Sequence, residues 1–121
     1  MKKILMYISV MIFTVFSLPA FSTDFSFLFN SPVRFYNAED WKLLQAAAET
    51  ALNNTPNGVK VNWSNPKTGS SGFLQPLNKI TKNGLMCRNL KIFNNASGTQ
   101  DQYVFMFCKY KSGWKVPSDN I

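Results

Sequence analysis

Cys87 and Cys108 are the only cysteines in this 121-residue chain, and it contains no histidine. Without an imidazole the commonest general base is missing, as are the Ser-His nucleophiles and most zinc sites. Two cysteines cannot complete a metal site alone, and their separation is not that of a redox C-x-x-C pair. Beyond residue 22 the carboxylates are Asp24, Glu39, Asp40, Glu49, Asp101 and Asp119. Glu39 and Asp40 suit the start of a helix, Asp101 lies near a hairpin turn, and Asp24 and Asp119 lie near the ends. No pair has the look of a glycosidase acid/base couple. Gly69, Gly72 and Gly84 build no phosphate loop, since no G-x-x-x-x-G-K-[ST] is present. The chain reads as a non-enzyme with no cofactor and no metal, and its cysteines read as a structural disulfide.

The disulfide follows from strand register. Met86 to Phe93 and Gln102 to Tyr110 are the strongest strand candidates, and a polar loop holding Ser97-Gly98 separates them. If that dipeptide centres a tight hairpin, facing residues have numbers with a constant sum, and Cys87 and Cys108 share the sum of 97 and 98. Counting outward from Ala96 and Thr99, the cysteines form a non-hydrogen-bonded pair with α-carbons about 4.5 Å apart. The register puts Leu90, Ile92, Tyr103, Phe105 and Phe107 on one apolar face, with Asn89, Lys91, Val104 and Met106 on the cysteine face. Arg88 falls at the rim of the apolar face opposite Phe107, where it either meets the helix's C-terminal carbonyls or binds an anion.

A helix must cover that apolar face. Asn37 is a good N-cap, Glu39 and Asp40 place negative charge on the first turn, and Tyr36 and Trp41 have the spacing of a hydrophobic staple. Trp41, Leu44, Ala48, Ala51 and Leu52 form one stripe, predicting a helix from Ala38 to Asn53 that Pro56 stops. Val59, Val61 and Trp63 alternate with polar residues as in a strand. Phe73 to Ile80 is a further strand in which Pro76 demands an edge or a bulge, and Lys82-Asn83-Gly84 is a turn. The fold class is therefore α+β: one N-terminal helix on an antiparallel sheet of four to five strands, with one disulfide.

The chain's ends read differently. Lys2 and Lys3 precede an apolar run from Ile4 to Leu18 and a small-x-small pattern, Ala20-Phe21-Ser22, as in a secretory signal cleaved after Ser22. The alternative, an uncleaved anchor, is disfavoured because the run is short and interrupted. The organisation expected is 1–22 signal, 23–36 Phe-rich lead-in, 37–117 domain and 118–121 tail. Residues 23–36 are either part of the core or an interaction tail.

The mature chain would keep a net charge of +5, which favours anionic partners such as lipid head groups or acidic glycans. Lys91 and Lys109, with Arg88, are the candidate anion or partner contacts. Tyr103, Phe105 and Phe107 beside Lys91, Lys109 and Lys111 superficially suggest nucleic-acid binding, but these aromatics are needed for the core, and no nucleic acid is expected.

The sequence Trp63-Ser64-Asn65-Pro66-Lys67-Thr68-Gly69, followed by Gly72, Pro76, Cys87-Arg88, Cys108 and Gly113-Trp114, resembles the C-terminal domain of the rickettsial-type seventeen-kilodalton outer-membrane surface antigen family. The resemblance covers most of the mature chain and is specific as a set, each piece being weak alone. It implies a non-catalytic protein of a Gram-negative envelope, in the periplasm, at the outer membrane or on the cell surface. Members of that family commonly carry a lipidated Cys and a glycine-rich segment ahead of this domain, and neither is found here. Lys109 also stands where an Arg is usual, which removes a planar bidentate donor. The expected function is a structural or interaction module among envelope or outer-membrane proteins. The alternative is a soluble secreted binding or inhibitor domain for an anionic ligand or a foreign enzyme. The oligomeric state is open.

Overall fold

The computed structural model describes residues 32–117. The signal-like stretch 1–22, the lead-in from 23 to 31 and the tail 118–121 lie outside the described residues. The lead-in ends in a short 3-10 helix (Pro32–Phe35), which buries Pro32 and Val33.

The helix α1 (Ala38–Asn54) begins at a reciprocal cap. The Asn37 side chain accepts from the Asp40 backbone N–H at 2.8 Å, and the Asp40 carboxylate accepts from the Asn37 N–H at 3.0 Å. Two of the four orphan donors of the first turn are thereby satisfied. Tyr36 and Trp41 meet edge to face at 5.8 Å, completing the staple. The helix stops at Thr55, whose extended backbone (φ −109, ψ 132) is the conformation that the following proline imposes.

Five strands follow: β1 (Val61–Ser64), β2 (Ser71–Lys82), β3 (Leu85–Ala96), β4 (Thr99–Tyr110) and β5 (Gly113–Lys115). They form one antiparallel sheet in sequence order. Both long hairpins turn on two residues of positive φ, Asn83-Gly84 (51 and 76) and Ser97-Gly98 (52 and 75). Such turns match the twist of the flanking strands. The β3–β4 register runs from Ala96↔Thr99 to Cys87↔Cys108, as the constant-sum argument requires. The cysteines are bonded, with α-carbons 4.0 Å apart against about 4.5 Å expected for such a pair.

Two local expectations change. The first strand starts at Val61 rather than Val59, because the Val59 N–H is taken by the Pro56 carbonyl in a turn, and Val59 is 49% exposed. Pro76 sits where both accommodations operate. Its β1 neighbour ends at Val61↔Leu74, and the register with β3 shifts between Pro76 and Lys79. The bulge turns Ile80 to the cysteine face, opposite Cys87.

One face of the sheet takes the helix. Leu44, Ala48, Ala51 and Leu52 share a core with Trp63, Leu74, Leu90, Ile92, Phe107 and Trp114. Phe105 packs at its edge, while Tyr103, at 38% exposed, lies at the margin rather than inside. Gly72 passes so close to Phe93 that a Cβ there would overlap the Phe93 carbonyl oxygen, which explains a glycine in mid-strand. The other, open face carries the buried disulfide, half-buried Phe73, Phe93 and Lys91 and exposed Val104, and no described helix lies on it.

The bridge joins residues 21 apart. Replacing both cysteines by alanine is predicted to cost about 3 kcal/mol. Chemical denaturation of wild type and C87A/C108A checks this, and thiol counting on the non-reduced wild type should find none.

Candidate functional site

The sequence-predicted residues do not converge. Lys91 stands on the open face between Gln75 and Val104 in register. Lys109 lies on the helix side, its ammonium 5.9 Å from the centre of the Trp114 ring. Arg88 is also on the helix side, but far from solvent. It is 1% exposed and reaches under the end of α1.

What Arg88 does there is set by helix geometry. The last turn of a helix leaves carbonyls without intrahelical donors. Arg88 Nη1 donates to the carbonyls of Ala51 and Leu52, both at 3.0 Å. Its Nη2 donates to the Thr55 carbonyl at 2.9 Å and to Asn57 Oδ1 at 2.7 Å. The Thr55 hydroxyl satisfies Thr50 O at 2.8 Å, and the Trp114 indole donates to Asn53 Oδ1 at 3.0 Å. A planar fork is needed to serve four oxygens at once, and the positive charge lies at the negative end of the helix dipole. Burial lowers the Arg88 pKa from its ordinary value, but a guanidinium does not lose its proton in a protein. Its Nε has no hydrogen-bond partner among the described residues.

The opposite end of α1 is held by a carboxylate. Asp40 is fully buried. Besides the cap, its Oδ1 accepts from Asn65 Nδ2 and from the Thr68 hydroxyl, both at 2.8 Å. The loop between β1 and β2 is shaped for this task. Asn65 O accepts from the N–H groups of Thr68 and Gly69, Asn65 Oδ1 accepts from Lys67 N, and Gly69 takes φ 77. Burial by itself raises the Asp40 pKa. The donors, Asn37 N–H first and then Thr68, Asn65 and Ser70, outweigh it and hold the carboxyl below its ordinary value. Sequence reading gave Asp40 only a dipole role, because its partners come from 25 and 28 residues away.

A third polar contact joins the lead-in to the sheet. The Tyr36 hydroxyl lies 3.3 Å from Asn94 Oδ1, and burial pushes its pKa well above the usual phenol range. The carboxylates have separate partners: Glu39 pairs with Lys67 at 4.0 Å, Glu49 accepts from Asn53, and Asp101 accepts from Asn94. Among the described residues no group of three acidic or cysteine side chains is placed to hold a metal.

The arrangement is therefore a helix fastened to a sheet at both ends by the residues that carry the family resemblance: Asn65 and Thr68 at one end, Arg88 and Trp114 at the other, with the disulfide beside Arg88. Comparison with curated proteins agrees. This chain is similar to the 17 kDa surface antigens of Rickettsia. It is 31% identical over 81 residues to that of Rickettsia prowazekii (strain Madrid E), a match covering 64% of this chain and 50% of the relative. The antigen of Rickettsia felis is 32% identical over the same span, and that of Rickettsia conorii 31%. The chain thus spans about half the length of the curated relatives it matches. No protein-family model matches it, and neither does any solved structure.

Arg88→Ala leaves buried carbonyls without donors and is predicted to cost about 3–5 kcal/mol, whereas Arg88→Lys, which retains the charge but not the fork, is expected to cost about half as much. Urea titration at neutral pH separates the two. Asp40 sets an acid limit. Its folded pKa lies below the unfolded value near 3.8, so its contribution is present above pH 4 and is lost as pH falls through the folded value. The melting temperature of wild type should therefore fall toward that of Asp40→Asn between pH 5 and pH 2, which a pH series of thermal melts tests.

Proposed function

We propose that this chain is a non-catalytic module of a bacterial envelope, acting structurally or by holding another envelope component in the periplasm, at the outer membrane or at the cell surface. The observation that carries this reading is how the resembling residues are used. Each one with a resolved role fixes the helix to the sheet or the sheet to itself, and none is left pointing from a cleft toward a substrate. The Cys87–Cys108 bridge suits an oxidising compartment, and the relatives it resembles are named surface antigens. The basic sheet face opposite the helix, which no described helix covers, favours a second reading, a soluble domain that captures an anionic ligand.

Fractionation of the native bacterium, with crosslinking and mass spectrometry, tests the first reading. Recovery with the envelope and crosslinks to envelope components are expected. A monomer in periplasmic extract without crosslinks would select the second reading, and a cytoplasmic protein with two free thiols would defeat both.

A further inference from the structure

We propose that the open face of the sheet binds a carboxylated polysaccharide. This deepens the reading of the chain as an envelope module and rests on it. The first observation is charge. The four carboxylates among the described residues lie on α1 or on the helix side of the sheet, where Asp101 faces Asn94. The open face thus has lysines and, among the described residues, no acid to neutralise them.

The second observation is how the centre of that face is built. Lys60 places its ammonium 4.4 Å from the centre of the Phe73 ring, and Phe73 stacks on Phe93 at 5.1 Å with the planes 12° apart. Asn62 stands opposite Phe73, and Gln102 opposite Phe93. Lys91 lies two residues along β3 from Phe93, about 7 Å away by strand geometry. Rings stacked across neighbouring strands present their edges outward, and an aromatic edge carries positive potential. The patch therefore offers two ammonium groups, two ring edges and two amides across neighbouring strands.

That combination selects among occupants. A second copy of the same face would set lysine against lysine, which disfavours a symmetric dimer here. An anionic bilayer would also satisfy the lysines through its head-group phosphates, and the vesicle arm of the titration separates it from a soluble polyanion. A polymer of uronic acids meets every group: carboxylates for Lys60 and Lys91, hydroxyls for Asn62 and Gln102, and carboxylate or hydroxyl oxygens for the positive edges of the phenylalanines.

Isothermal titration of the full chain with oligomers of polygalacturonate tests the proposal, with neutral dextran and phosphatidylglycerol vesicles as separate arms. Binding to polygalacturonate, weakened by added salt and absent with dextran, is expected. The K60E/K91E variant should lose on the order of tenfold in affinity, while K42E/K67E, which makes the same charge change on the helix side, should stay within about twofold. Equal losses in the two variants would reduce the effect to net charge and overturn the proposal. So would equal binding to dextran, or a K60E/K91E defect seen with vesicles alone. Thermal melts of both variants show that each is folded. An envelope-associated protein that ignores polygalacturonate would end this proposal and leave the envelope reading intact.

Discussion

A helix that ends inside a small domain must find donors for its last carbonyls, and here a single buried guanidinium supplies them. Arg88 joins Ala51, Leu52, Thr55 and Asn57 to the middle strand of the sheet. Most of the remaining geometry depends on that contact. Pro56 ends α1, and this contact fixes how far the helix slides along the sheet and therefore which side chains of β2, β3 and β4 are covered. A lysine could match the dipole but could not serve oxygens from two segments in one plane.

The other end of the helix is the electrostatic complement. Asp40 carries a buried negative charge at the positive end of the dipole, and Arg88 a buried positive charge at the negative end. Among the described residues neither has a counter-ion in contact. Each is compensated by dipoles and hydrogen bonds, which tolerate burial only when nearly every lone pair or proton is matched. The cross-strand disulfide lies next to Arg88 in sequence and on the opposite face of the same strand. The start of β3 is thus fixed on both sides, by sulfur on one and by the guanidinium on the other.

The hairpin was legible because a two-residue turn makes register a matter of counting. Once Ser97-Gly98 is accepted, the disulfide and the two faces follow. The helix was legible through its stripe, its Asn37 cap and Pro56. Arg88 was legible in part, since a charge beside an apolar face needs an explanation and helix carbonyls provide one. Asp40 was not. A carboxylate in a first turn looks complete as a dipole partner, and only the tertiary approach of Asn65 and Thr68 reveals the cage. The late start of β1 was hidden for a similar reason, because Val59 alternates like a strand residue while its N–H is committed to a turn. Local pattern shows which groups want partners. It does not show which distant segment provides them.

That division bears on where function can reside in a chain of this kind. Most of the residues that carry the family resemblance are committed to internal contacts: the Asn65 loop to Asp40, Gly72 to close approach of the Phe93 backbone, Arg88 to the helix, Trp114 to Asn53, and the cysteines to each other. Such a set preserves a scaffold and says little about what the scaffold meets. Recognition must then rest on surfaces that the set leaves free, and among the described residues one of these is the sheet face opposite the helix. Its composition is under no packing demand from α1, so lysine, amide and phenylalanine can stand together there at no expense to the core. Relatives of the same architecture can therefore differ in partner without differing in fold, because the bonds that hold the helix and the side chains that face outward occupy opposite sides of the same strands.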